Sequence, residues 1–221
     1  MATYQKHPSE RLQRLFSDQE FPHQGQDQRL AKVIFIGQDA NYPTDLSDGH
    51  PFFERIIEYH QDSVAFWQKH GVHHPFLLAE YPFKKNTGGV PYHRKFGSMG
   101  LTTDYAQHIS FIELLDVATI GSTDPRLFWR IFNTGHAERI DQIVTDGSNR
   151  LVIINSTLMQ KYMMKARKNF GAFRWLPDRF KLGQIALIGN TAIYGARHFS
   201  SSVSNEELTE LGYVVRDFCD R

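Results

Sequence analysis

Cysteine is almost missing from this chain: Cys219, near the C-terminus, stands alone among 221 residues. One thiol cannot close an intrachain disulfide, and it cannot build a cysteine-held zinc or iron–sulfur site. Long apolar runs are missing too. No stretch reaches the roughly 20 residues a membrane-spanning helix requires, and the opening MATYQKHPSERLQRLF lacks the apolar core of a signal peptide. A soluble, cytoplasmic protein is the expectation. Neither sign of charge dominates: 25 Lys and Arg stand against 24 Asp and Glu, a formal net charge of +1. Bulk charge therefore does not mark a nucleic-acid binder, although a local basic patch suffices for one. The signatures GxGxxG and GxxxxGK[ST] do not occur. That removes sequence support for a dinucleotide cofactor or a P-loop. Repeats and low-complexity tracts are absent as well.

What is present suits a packed core: 41% of residues are hydrophobic and 22% charged. The length fits one domain over residues 1–221. Periodicity predicts a short helix over 9–16 and a buried strand in AKVIFIG at 31–37. It predicts one amphipathic helix from about 50 to Gly71, with Phe53, Ile56, Ile57, His60 and Val64 on its inner face. Residues 72–107 are rich in Gly, Pro and His and read as an irregular insertion, too long for a plain connection. HISFIELLDV predicts a second strand and RLVIINS a third. DPRLFWRIFNTG, AERIDQIVTDG and TLMQKYMMKARKNFG predict helices, the last with Leu158, Tyr162 and Met163 inward. Of the late apolar runs GQIALIG and AIYGARHF, one is expected to be the last strand. SNEELTELG predicts a capped helix, with Ser204 at the N-cap and Glu207 three residues on. Strands alternating with helices argue for an α/β fold: a mainly parallel, four-stranded sheet in a three-layer α/β/α sandwich. Ligands of such folds sit beyond the carboxyl ends of the strands. The loops Gly37 to Tyr42 and His198 to Ser204 are of that kind.

Three features then combine: GQDANY at 37–42, Phe52, and HFSSSVS at 198–204. Together they resemble the uracil-DNA glycosylase superfamily, which carries a Gly-Gln-Asp loop after the first strand. In that superfamily an aromatic follows about ten residues on, and a His-Pro-Ser-type loop lies near the C-terminus. The likeness touches about 25 residues directly. It implies that Asp39 handles the attacking water and His198 hydrogen-bonds the leaving base. It implies that Phe52 stacks on the flipped base, and that Gly37 and Gln38 line the pocket. Ser200, Ser202 and Ser204 would contact phosphate, and Val203 would be the wedge that fills the gap in the stack. The residue types suit the chemistry. Cleaving an N-glycosidic bond develops positive charge on the sugar and negative charge on the base, which a carboxylate and a neutral imidazole stabilise respectively.

The chain departs from the family pattern in its pocket. Where the best-known family form continues Pro-Tyr-His, this chain has Ala40-Asn41-Tyr42, so Asn41 or Tyr42 occupies the place that excludes a thymine methyl. The expected pocket asparagine is replaced by Glu113 in SFIELLD. As a carboxylate it accepts only; it donates only when protonated. The His loop has Phe199 for its proline. Elsewhere, PFKKNTGGVPYHRKFG interleaves Lys84, Lys85, His93, Arg94 and Lys95 with Phe83, Tyr92 and Phe96, a pattern suited to a nucleic-acid backbone or to a solvated loop. KHGVHH, with His70, His73 and His74, reads as a polar surface turn rather than a metal site. The expectation is thus a monomeric DNA glycosylase that excises uracil or a related damaged base, with no metal and no organic cofactor. The alternatives are a catalytically weak nucleobase- or DNA-binding module on the same fold, and a hydrolase of free nucleosides.

Overall fold

The computed structural model describes residues 3–155, 157–179, 181–200 and 203–221, without the side chains at 157 and 158. In chain order the elements are β1 (Gln5–Lys6), α1 (Glu10–Ser17), β2 (Gln24–Gly25), β3 (Val33–Gly37) and β4 (Ala40–Asn41). They continue with α2 (Phe53–Gln61), α3 (Ser63–His70), α4 (Val90–Gly97), β5 (Ile109–Glu113), β6 (Ala118–Ile120), α5 (Pro125–Ile131) and α6 (Thr134–Thr145). The last are β7 (Arg150–Asn155), α7 (Thr157–Phe170), β8 (Gly183–Ile188), β9 (Thr191–Ala196) and α8 (Asn205–Asp220).

The main sheet has six strands in the order β2-β5-β3-β7-β9-β8. Its four central strands, β5, β3, β7 and β9, run parallel, and β2 and β8 pair antiparallel at the edges. The four-stranded expectation therefore captured the parallel centre and missed both edges. One edge is two residues long, and the other arises because both late apolar runs are strands of one hairpin. Chain order reverses at β3: the next parallel strand, β5, lies on one side and β7 on the other. A crevice opens at such a switch point.

Alternation along the strands sorts the core into two faces. Ile34, Ile36, Ile112, Val152 and Ile154 pack against Phe128, Ile140, Val144 and Met163 of α5, α6 and α7. Val33, Phe35, Ile109, Phe111, Leu151 and Ile153 pack against Trp67, Phe96, Leu208 and Val215 of α3, α4 and α8. Tyr162 and Met163 are buried, as the periodicity of α7 predicts, whereas Leu158 falls outside the described side chains. A third cluster joins α1 and α2 to the segment around Phe76 and Tyr81.

Two expectations change here. The single helix over 50–71 is two. Asp62 is extended, with φ −155° and ψ 91°, and its carboxylate accepts from the Ala65 amide at 2.9 Å to start α3. An N-capping acid in mid-run ends one helix and begins the next. The 72–107 segment, irregular in sequence, is locally folded. It contains α4 and two 3₁₀ turns, and it delivers His73, His74, Phe76, His93 and Phe96 into the interior. KHGVHH is correspondingly no surface turn past Gly71: the imidazoles of His73 and His93 meet at 3.1 Å, and those of His74 and His93 stack with centroids 3.6 Å apart.

A second, three-stranded sheet, β1-β6-β4, closes over the carboxyl end of β3. It brings Tyr4 and β1 beside the Gly37 to Tyr42 loop.

Candidate active site

A cavity of about 1020 Å³ opens at the carboxyl ends of the parallel strands. Gly37, Gln38, Asp39, Asn41 and Tyr42 line it from the first loop, Glu113 from β5, and His198 and Ser200 from the last loop. Lys84, Phe83, Tyr92, His93 and Arg197 complete much of the wall. Two loops about 160 residues apart in sequence thus share one space.

Asp39 leaves the strand end and is held by donors that local sequence does not announce. The Tyr4 hydroxyl donates to Oδ2 at 3.0 Å, and the Thr119 hydroxyl donates to the same oxygen. Gln38 Nε2 reaches Oδ1 at 3.3 Å and also donates to Thr123 Oγ1 at 2.6 Å. Tyr4 precedes β1 and Thr119 lies in β6, so the small sheet exists where Asp39 needs it. Burial pushes the Asp39 carboxyl above its ordinary value, and the hydrogen bonds from Thr119, Tyr4, Asn41 and Gln38 offset part of that rise. Asn41 ties the loop down, donating to Gly121 O at 2.8 Å.

His198 is half-buried, and burial lowers its pKa, so the imidazole is neutral at physiological pH. Its Nδ1 accepts the Ser200 amide at 3.1 Å. A neutral ring that accepts at Nδ1 carries its proton on Nε2, which makes Nε2 a donor. The ring lies beside Tyr92, with centroids 5.8 Å apart.

Glu113 sits directly across from Gly37 in the parallel register. Its carboxylate lies over the glycine: a Cβ there would come within 2.7 Å of Cδ and overlap both oxygens. Gly37 is therefore required by the neighbouring side chain, not by its own backbone angles. Burial pushes the Glu113 carboxyl well above the ordinary range, and the nearby Asp39 charge adds to this. One strand further, Asn155 at the end of β7 is fully buried and donates from Nδ2 to Tyr92 Oη at 3.2 Å. The second strand carries no pocket amide, and this buried amide on the third does not itself line the cavity but holds Tyr92, which does.

Several expected site residues stand elsewhere. Phe52 does not reach the cavity; it is core, packed edge-on to Tyr81 and Phe83 with centroids 5.4 and 6.2 Å away. Phe83, which packs on Phe52, lines the cavity instead, together with Tyr42, Phe76 and Tyr92. Val203 is no wedge: it is 7% exposed and packs in the core cluster of Leu208 and Leu211. Ser204 uses its hydroxyl to accept the Glu207 amide at 3.1 Å, while Glu207 accepts the Ser204 amide, a full capping box. Its hydroxyl is engaged in the helix start rather than offered to a phosphate. Lys95 is half-buried and donates to Val203 O at 3.4 Å, and Arg94 bonds back to Lys85 O and Asn86. Neither lines the cavity, whereas Lys84 does. Ser202 lies outside the described residues. Tyr42 lines the cavity with a buried ring whose hydroxyl is 2.8 Å from His60 Nε2.

Among the described residues no cluster of three metal-ligating side chains occurs, and no helix is long and apolar enough to cross a membrane.

No protein-family model matches the chain, and neither does any curated protein. The functional reading therefore rests on the site.

Proposed function

We propose that this chain is a DNA glycosylase that hydrolyses the N-glycosidic bond of uracil or a related deaminated base. The observation that carries the reading is that Asp39 and His198 line one cavity at the switch point of the parallel sheet. The motif likeness to the uracil-DNA glycosylase superfamily supports it. So does the order of the four parallel strands, in which the first lies between the second and the third.

In this reading the target nucleotide leaves the base stack at a cost of about a few kcal/mol and enters the cavity. As the bond from C1′ to the base nitrogen stretches, positive charge grows on the sugar. The ionised Asp39, fixed by Tyr4 and Thr119, faces that charge, holds the water that adds to C1′ and accepts the proton that water loses, which solvent returns to the departed base. The base departs as an anion and His198 Nε2–H donates to its carbonyl oxygen. Fixed donors and a fixed carboxylate need no rearrangement as the charges develop, which is where the rate enhancement originates. Phe83 offers the aromatic face for the base. Lys84, Arg197 and Ser200 stand at the rim, where phosphates would pass. Leu182, 50% exposed at the same rim, is the apolar side chain available to fill the vacated stack.

A base-release assay tests the reading. Oligonucleotides with one uracil, hypoxanthine, xanthine or thymine mismatch, single- and double-stranded, are incubated with protein and then cleaved with alkali. Strand scission at one lesion, abolished in Asp39→Asn and His198→Ala, is the expected result. Salt-sensitive DNA binding without scission would instead favour a nucleobase- or DNA-binding module.

A further inference from the structure

Three carboxyl groups line the cavity; Asp45 is exposed, and of the other two, Asp39 and Glu113, only one is provided for as an anion. Asp39 receives the hydroxyls of Tyr4 and Thr119 and the amide of Gln38. Glu113 receives nothing comparable. No side chain among the described residues donates a hydrogen bond to its carboxylate, and no Lys or Arg pairs with it. The charge that acts on it is that of Asp39, an anion; the nearby phenols of Tyr42, Tyr59 and Tyr92 are uncharged and are themselves pushed up by it. Two neighbouring carboxyls with such unequal surroundings divide their protons unequally: the hydrogen-bonded one ionises, and the bare one keeps its proton. The raised pKa of Glu113 agrees.

Geometry gives the bare carboxyl a place to act. It lies over Gly37, where no Cβ intrudes, and it lines the same cavity as Asp39 and His198. We propose that Glu113 reads the extruded base as a neutral carboxylic acid, giving one O–H donor and one C=O acceptor to a lactam edge. That edge is the adjacent N–H and C=O of uracil, thymine or hypoxanthine. This deepens the glycosylase reading above and rests on it. A neutral acid and a lactam exchange two parallel hydrogen bonds, O–H to C=O and N–H to C=O. An ionised carboxylate has only acceptors. It would meet the base carbonyl lone pair against lone pair, and would suit a two-donor edge such as an amidine.

The test couples binding to turnover. Free uracil and hypoxanthine are titrated calorimetrically into wild type, Glu113→Ala, Glu113→Gln and Gly37→Ala between pH 5 and 8.5, with acetamidine as the two-donor probe. Base release from matching oligonucleotides is measured in parallel. Glu113→Ala is expected to weaken lactam-base binding about ten- to hundredfold, the worth of a two-bond contact. Gly37→Ala, which displaces the carboxyl without changing it, is expected to do the same. Glu113→Gln keeps one donor and one acceptor but cannot ionise. It should rescue most of the binding lost in Glu113→Ala and remove any weakening toward alkaline pH. Glu113→Gln as weak as Glu113→Ala, or acetamidine binding tighter than uracil, overturns the inference while base release leaves the glycosylase reading standing. Wild-type protein that releases no base from any oligonucleotide overturns both.

Discussion

The hydroxyl of Tyr4 lies 3.0 Å from Oδ2 of Asp39, across 35 positions of sequence. It is one of two hydroxyls on that oxygen, and both favour the ionised carboxylate. Removing it in Tyr4→Phe raises the Asp39 pKa, so the acid limb of the activity profile moves to higher pH. Each unit of displacement costs about tenfold in rate on that limb. A profile superimposable on wild type would mean that Tyr4 only packs.

Glu113 carries a stability cost that its site role entails. Its folded pKa lies above its unfolded value. Folding is therefore favoured by the proton at low pH, and that contribution is lost as pH rises from the unfolded value through the folded one. Glu113→Gln has no such loss. Its Tm is expected to exceed wild type by several degrees at pH 8, on the order of 1–2 kcal/mol, and to converge on wild type below pH 4. Thermal denaturation across pH checks the sign.

The buried imidazoles act in the opposite direction. Burial lowers His73 and His74 well below the ordinary range, and holds His60 and His93 at about 3. The unfolded chain binds these protons at ordinary histidine pKa values, so stability falls as pH drops from about 6.5 toward 3, by up to about 1.4 kcal/mol per pH unit for each ring. Replacing His93 with Asn should reduce that slope by up to one ring's share. Urea melts between pH 4 and 7 measure it.

Val203 and Leu182 separate packing from contact with DNA. Val203→Ala opens space in the core and is expected to destabilise the fold by about 1–2 kcal/mol, with little effect on activity per folded molecule. Leu182→Ala, at an exposed rim position, should leave Tm within about 0.5 kcal/mol of wild type. It should also lower activity on double-stranded substrate more than on single-stranded, where no partner stack must be propped open. Equal losses on both substrates would remove Leu182 from that role.

Local pattern made much of the architecture legible. Apolar runs of β-branched residues placed the parallel strands, and the Ser204 and Glu207 pair announced the start of α8. Where the pattern misled, one residue decided. Asp62 splits a continuous helical periodicity because its side chain caps the Ala65 amide, an option periodicity cannot register. Val72 to Phe96 reads as irregular because Gly, Pro and His interrupt it, yet the rings of His73, His74 and His93 are buried, the last two stacked.

Local sequence is enough for the residue types at the strand ends: Gly37 closing β3 with Gln38 and Asp39 after it, Glu113 closing β5, His198 after β9. Strand ends are local events, set by where an apolar run stops. The tertiary structure alone decided what those residues meet. Tyr4 and Thr119 reach Asp39 only because a small second sheet folds over it. The Glu113 carboxyl has room over β3 only because Gly37 is its neighbour in a parallel register. Phe52 and Val203 lose their expected places to packing that spacing along the chain does not encode. Register, burial and the sharing of hydrogen-bond donors are properties of contacts between distant segments. Charge state follows from those contacts, not from order along the chain.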